Sequence, residues 1–243
     1  MDKDIELDTF IEEGIKTYHD TILDRLQKLK LAKILQRKNP YLFRVKNLNT
    51  SHDLIKSILD AHLSSQEEAI FGGLLEELAI FICGRTYGGI KSSAEGIDLE
   101  FIHEDVRYII SIKSGPHWGN SSQIAKMKDH FRKAKRILGT NQGKPIPVVA
   151  INGCCYGKDK KPEKEEYHKL CGEKFWTKIS GDNELYTKII EPLGHKAEER
   201  NSRFDDEYAK VLNKFTMEFT LEYCTEEGEI DWDKLLSFNS GYN

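Results

Sequence analysis

The strongest constraint on the fold is the stretch from Gly96 to Gly119, GIDLEFIHEDVRYIISIKSGPHWG, in which two segments of period-two hydrophobicity flank a polar break. Ile97, Leu99 and Phe101 alternate with Asp98 and Glu100, and Tyr108, Ile110 and Ile112 alternate with Arg107, Ile109, Ser111 and Lys113. Successive side chains of a strand point to opposite faces, so the pattern predicts two half-buried strands. His103-Glu104-Asp105 between them reads as a turn. A two- or four-residue loop centred on Glu104 and Asp105 makes paired positions sum to 209, which sets Asp98 opposite Ser111 with Lys113 one diagonal step away on the same face. An odd-length loop would shift the register and separate them.

A carboxylate and an ammonium converging on one face have a defined chemistry. The carboxylate holds a hard cation such as Mg2+ through oxygen, and the cation lowers the pKa of water and polarises a phosphoryl oxygen. A lysine beside it stabilises growing negative charge or helps deprotonate the attacking water. These are the parts needed for phosphodiester hydrolysis. The competing reading is an ordinary surface ion pair between Asp98 and Lys113 on the wet face of a hairpin.

With 243 residues, 39% of them hydrophobic, the chain can bury a full core as one large domain or one domain with a helical annex. No run of about eighteen apolar residues exists, and the start MDKDIELDTF is acidic and lacks an apolar signal core. We therefore expect no membrane span and a cytoplasmic protein. The five cysteines, at 83, 154, 155, 171 and 224, are odd in number and lack C-x-x-C spacing, which argues for reduced, mostly buried thiols rather than disulfides or a zinc site. A net charge of -4 is not that of a general nucleic-acid binder, but phosphate contacts need positive charge only where the duplex lies.

Along the chain, residues 4 to 37 carry apolar side chains at helical spacing, acidic early and basic late, before Asn39-Pro40 as a stop. This N-terminal region, 1–63, is a possible dimerisation element. A short helix is expected from His52 to His62 and a third from 66 to 83, the latter apolar on most sides. A carboxylate in so apolar a helix is costly unless it is paired or liganded, which draws attention to Glu77 and, next to it, Glu76. Gly72-Gly73 permits close backbone approach there but lacks the glycine pattern and lysine of a phosphate loop.

Residues 84–96 read as a glycine- and serine-rich loop offering Lys91 and Ser92 to phosphates, or simply as a mobile solvent loop. Beyond Lys113, His117 and Trp118 sit in a tight connection, where Trp118 either anchors the loop or meets nucleic acid. Asn120 to Leu138 reads as a helix with one apolar stripe, capped by Asn120 or Ser121, and it carries Lys126, Lys128, Arg132, Lys133, Lys135 and Arg136. Gln123 lies in its first turn. PIPVVAI, 145–151, suits a buried central strand, and KDKKPEKEE, 158–166, a charged surface loop. Helices follow at Tyr167–Ile179, Leu185–Arg200 and Asp205–Tyr223, then a terminal piece with Trp232, Leu235 and Leu236. The expected divisions are thus 1–63, a core at 64–157 with the active site, and a C-terminal helical region at 158–243.

The order of a helix with Glu77, a strand with Asp98, a strand with Ser111-Ile112-Lys113, a helix and a strand resembles the PD-(D/E)XK nuclease core. More narrowly, FGGLLEELAIFICG, SIKSGPHWGNSSQ, GEKFWTKI and DWDKLL resemble type II restriction endonucleases that cut interrupted G/C-rich palindromes. The resemblance implies an α/β (α+β) fold, a mixed sheet flanked by helices with N- and C-terminal helical additions. It also implies a homodimer acting on double-stranded DNA, dependence on Mg2+ and products with 5′-phosphates. On this likeness Asp98 takes the metal-binding position and Lys113 the catalytic lysine. Ile97 stands where the motif often has proline, and Ser111 stands where it has an acid. The missing carboxylate then falls to Glu77 first and Glu100 second, with Ser111 itself beside the reacting groups. The DNA-facing set is expected to comprise Lys91, Ser92, His117, Trp118, Asn120, Gln123, Lys126 and Arg132. Rival readings are a DNA-binding module that has lost its chemistry, motivated by Ser111; a repair or junction nuclease of the same fold; and a helical interaction protein.

Overall fold

The computed structural model of the protein describes residues 3–140, 146–194 and 197–242. Among these, four helices come first: α1 (Lys3–Gln27), α2 (Leu31–Leu35), α3 (Pro40–Val45) and α4 (Ser51–Tyr87). The strands and helices of the central region follow as β1 (Ile90–Lys91), β2 (Leu99–His103), β3 (Val106–Lys113), α5 (Ser121–Thr140), β4 (Val148–Cys154) and β5 (His168–Cys171). Five helices close the chain: α6 (Glu173–Ser180), α7 (Leu185–Lys188), α8 (Ile190–Gly194), α9 (Ala197–Tyr223) and α10 (Trp232–Ser240). No helix among the described residues is long and apolar enough to cross a membrane.

Several boundaries differ from those expected of the sequence. Asn39-Pro40 starts a helix rather than only ending one: the Asn39 side chain accepts from the Tyr41 N–H, and proline fits the first helical position, where no N–H is needed. The two helices expected at 52–62 and 66–83 are one 37-residue helix, α4. Ser65 does not cap a new helix there, because its hydroxyl donates back to the Ala61 carbonyl one turn earlier. The helix runs on to Tyr87, and the supposed loop after it contains the two-residue edge strand β1. The helix expected from Tyr167 begins only at Glu173, after β5 has joined the sheet. The expected helix 185–200 is two short helices and the start of α9, with residues 195–196 outside those described.

The chain divides into two compact units, residues 1–15 with 71–195, and residues 16–70 with 196–243. The divisions fall inside α1 and α4, whereas the segments expected of the sequence, 1–63, 64–157 and 158–243, are contiguous. An amphipathic helix can present its faces to different cores along its length, which a linear reading of segments does not anticipate. The second unit is helical. Its core joins Leu26, Ile34 and Phe43 to Leu54, Ile58 and Leu59 of α4 and to Phe215, Phe219 and Tyr223 of α9.

The first unit holds a five-stranded sheet in the order β1-β2-β3-β4-β5, antiparallel from β1 to β3 and parallel from β3 to β5. The β2–β3 pairs are Leu99–Ile110, Glu100–Ile109 and Phe101–Tyr108, each summing to 209, as a two-residue turn requires. Glu104 and Asp105 form that turn at φ 51° and 58°, both left-handed, the conformation that matches the twist of a hairpin. Helix α5 makes the crossover from β3 to β4 and covers one face, where Met127, Phe131 and Ala134 pack with Ile97, Ile109 and Ala150. On the other face Tyr87 of α4 stacks on Phe101, and Phe175 of α6 lies against Gly153, where a Cβ would stand 2.3 Å from the ring. The parallel strands β3 and β4 are accordingly buried on both sides, with Ile109, Ile110, Ala150 and Ile151 almost wholly excluded from solvent.

Candidate active site

The site lies at the C-terminal end of β3. Asp98 precedes β2 and departs from the regular ladder: its N–H donates to the Ile110 carbonyl at 2.8 Å, one residue off the 209 register. Its carboxylate then reaches the opposite strand, where Oδ2 accepts from the Ile112 N–H at 2.6 Å and lies 3.5 Å from the Ser111 hydroxyl. The Lys113 ammonium stands 3.8 Å from the same oxygen and donates to the Ile112 carbonyl at 2.6 Å. Asp98 Oδ1 has no hydrogen-bond partner among the described residues. One cationic group therefore bridges a carboxylate and a backbone carbonyl, while a further carboxylate oxygen remains open.

Of the two neighbouring helix carboxylates, Glu76 is the one that feels the charges of Asp98 and Lys113. Glu77 is exposed, on the other side of the buried stripe formed by Leu74, Leu75, Leu78 and Ala79. At about 100° per residue the two glutamates flank that stripe on opposite edges. Gly72, one turn before Glu76, sits so close to the loop after β3 that a Cβ there would stand 2.6 Å from Ser114 Oγ. Glu76, four residues on, lies on that same side of α4 and is 3.6 Å from the Lys91 ammonium. Burial, and after it the negative charge of Asp98, pushes the Glu76 carboxyl up from its usual range, while Lys91 and Lys113 act in the opposite sense. Beneath the site, burial pushes the Cys155 thiol up to about 12, so it stays an uncharged packing group.

Glu100, the other expected acid, faces a different partner. It lies 3.7 Å from Arg107, toward the turn and away from Lys113, and its Oε2 is buried without a hydrogen bond, as is Arg107 Nε. Ser111 is 3% exposed and supplies no charge, only its hydroxyl beside Asp98. Trp118 bridges the loop to the sheet: its indole N–H donates to Asn152 Oδ1 at 3.1 Å, and the Asn152 amide donates to the Ser111 carbonyl at 3.2 Å. The ring also lies 5.4 Å from the Lys113 ammonium. Trp118 thus anchors the loop and flanks the lysine. Asn152, 1% exposed and central to this network, carries no signal in the sequence, since an asparagine after an apolar strand reads as a turn residue.

The remaining expected DNA-facing residues are dispersed. Ser92 Oγ accepts from the Ala94 N–H, and so stabilises its own turn. Asn120 and Gln123 cap α5 reciprocally, each side chain accepting the other's backbone N–H at 3.0 and 2.9 Å, and are occupied by that role. On α5, Arg132 and Lys128 both pair with Glu166, at 3.1 and 3.2 Å, and Lys133 pairs with Asp129. His117 and Lys126 are exposed.

A mixed five-stranded sheet with helices on both faces and a cluster of acid and lysine at the end of a central strand defines an α/β restriction-endonuclease-like nuclease. The family model of the type II restriction endonuclease EcoO109I matches residues 5–201, and the chain belongs to that family. It is accordingly a site-specific deoxyribonuclease. Among curated proteins none matches the chain.

Proposed function

We propose that the chain is a Mg2+-dependent type II restriction endonuclease of PD-(D/E)XK type, with Asp98, Glu76 and Lys113 as its active site. The observation that carries this reading is the convergence of two carboxylates, a lysine and a backbone carbonyl at one strand end. The donor set suits the ion: Mg2+ takes oxygen ligands, is commonly held by one or two carboxylates, and keeps several waters. Asp98 Oδ1 and the Glu76 carboxylate would hold it, with water filling the remaining positions. The Glu76 carboxyl, raised first by burial and then by the charge of Asp98, fits this role, because a bound divalent cation would favour its charged form against both. When bound, the ion activates water and steadies the leaving 3′-oxygen.

The chain's own groups do the rest. Lys113, beside Asp98, would offset the growing charge of the attacked phosphate and orient the attacking water. Asp98 is held in place by the Ile112 N–H and the Ser111 hydroxyl, and Trp118 holds the lysine from its far side. Attack on phosphorus with loss of the 3′-oxygen leaves a 5′-phosphate. A twofold homodimer would set one such site on each strand of a palindrome, and the sequence resemblance points to interrupted, G/C-rich sites.

Phage DNA incubated with the protein and Mg2+ tests the reading. Discrete fragments with ligatable 5′-phosphate ends are expected, lost on chelation and in Lys113→Ala. Smears, preference for branched DNA, or cleavage that survives Lys113→Ala would overturn it.

A further inference from the structure

The loop that leaves β4, Tyr156–Lys161, is built against the active-site strand rather than hung in solvent. The ladder of β3 with β4 continues past its end, with the Cys155 N–H donating to the Lys113 carbonyl at 2.9 Å and the Tyr156 N–H to the Ser114 carbonyl at 3.0 Å. The Tyr156 ring lies over Gly115, where a Cβ would stand 2.4 Å from Cζ, yet the residue is 61% exposed. Gly157, at φ 87°, turns the chain in a space closed by Pro116, whose Cδ would be 2.6 Å from any Cβ. A side chain at 157 would be strained on both counts.

Asp159 ties the loop down. Its carboxylate accepts from the Lys161 N–H at 2.8 Å and from the Lys164 ammonium at 3.1 Å, and lies 3.7 Å from Lys169. Lys169 in turn donates to the Pro116 carbonyl at 2.7 Å, which binds this loop to the one that follows Lys113. With Asp159 turned inward, Lys158, Lys160 and Lys161 are all exposed, and none of their ammonium groups has a partner among the described residues. Helix α5, denser in positive charge along the sequence, differs in this respect: Glu166 takes Lys128 and Arg132 and accepts from Lys135 through its carbonyl, and Asp129 takes Lys133. Lys126 and Lys174 are also exposed on this unit, but singly, whereas the loop groups three unpaired ammonium groups within four residues of chain, beside the site. Lys158 is two residues beyond Tyr156, at most about 7 Å of extended chain.

We propose that the loop Tyr156–Lys161 is a DNA-docking element, in which Lys158, Lys160 and Lys161 hold phosphates flanking the scissile one and the Tyr156 ring packs against the neighbouring deoxyribose. The proposal rests on the reading of the site as a duplex-DNA endonuclease. Fixed lysines on a tethered loop neutralise phosphate at lower entropic cost than lysines on a mobile tail, and they read no sequence. The duplex would thereby be set against Lys113 in a fixed register, with base readout left to other surfaces.

The test is the salt dependence of DNA binding by the full-length protein, measured without divalent metal on a duplex carrying the cleavage site and on one lacking it. Replacing Lys158, Lys160 and Lys161 together by Gln removes two sets of three lysines from the homodimer and is expected to lower the slope of log K against log salt by about 5, at about 0.9 per phosphate contact, and to weaken both duplexes alike. The cut position should stay the same. Lys188→Gln, which removes a lysine paired with Asp182 in the same unit, should leave the slope unchanged. Tyr156→Ala should raise KM for cleavage without moving the slope, because it removes no charge. If the triple variant keeps the parental slope while the parent protein cuts normally, the docking proposal fails and the active-site reading stands. If the parent protein neither binds nor cuts DNA, both fall.

Discussion

The carboxylate of Asp98 accepts a hydrogen bond from the backbone N–H of Ile112 at 2.6 Å, so one side chain both closes the strand pair and faces Lys113. Structure and chemistry are fused at this residue and can be separated by substitution. Asp98→Ala leaves the buried Ile112 N–H without an acceptor and should cost about 1–3 kcal/mol of stability. Asp98→Asn keeps an acceptor oxygen and should recover most of that stability. Both should cut with rates lowered by about 100-fold or more, since neither retains the charge that would hold the metal. Urea denaturation alongside single-turnover cleavage measures the two effects separately, and an active Asp98→Asn enzyme would refute the assignment.

Glu76 gives a prediction in pH. Its carboxyl is raised by burial and by Asp98, so the folded state binds a proton more readily than the unfolded chain. The stability linked to this group is complete below the ordinary glutamate range and is lost as pH rises through the raised folded value. Glu76→Gln should therefore stabilise the metal-free protein at neutral pH, with the gain vanishing below about pH 4. For activity the sign reverses, because protons compete with metal for the same oxygens. The Mg2+ concentration giving half-maximal cleavage should climb as pH falls, and Glu76→Gln should be inactive, whereas Glu77→Gln should cleave like the parent. Titrations of rate against Mg2+ at several pH values, on all three proteins, decide between the two acids.

The hairpin turn offers a gain in stability without a change in activity. Glu104 and Asp105 both adopt positive φ, which costs non-glycine residues free energy and which Asn and Gly adopt readily. Glu104→Asn with Asp105→Gly should stabilise the protein by about 1 kcal/mol in urea melts, at the scale of turn substitutions that match the native backbone. Cleavage should be unaffected, since the turn lies at the far end of β2 and β3 from Lys113. Loss of stability would mean that the paired register is not held by this turn.

That register was legible in the sequence because it follows from two local rules, alternation of faces and an even-length turn, and both operate within sixteen residues or so. The stripe of α5 was legible for the same reason. The orientation of the helix acids was not: Glu76 and Glu77 differ by one step around α4, and which of them lies near Lys91 depends on how the helix is rotated, with Gly72 close against Ser114. Nor was the fate of the basic helix, where Arg132 and Lys128 meet Glu166, a residue in what had read as a loop of solvated charge. Positive charge along a sequence says nothing of which acids will fold back onto it. The continuity of α4 was hidden by Ser64-Ser65-Gln66-Glu67, which has the composition of a helix start, although Ser65 bonds backward within the helix.

Asn152 is the residue whose importance only the fold exposes. It is buried between the Trp118 indole and the Ser111 carbonyl, with the Trp118 ring flanking Lys113. Asn152→Ala would orphan the indole N–H and the carbonyl together and free the loop that carries Trp118. A stability loss of about 1–3 kcal/mol is expected from the unmet buried groups. A merely structural role would leave cleavage by the folded fraction intact. If the network positions the lysine, the folded variant should instead show a lower single-turnover rate with a shifted pH profile and unchanged DNA affinity. Trp118→Phe keeps the ring beside Lys113 and loses only one hydrogen bond, so it should retain most activity at a cost of about 1 kcal/mol in stability. Equal inactivation by the two substitutions would show that the hydrogen bond to Asn152, rather than the ring, is what Lys113 depends on.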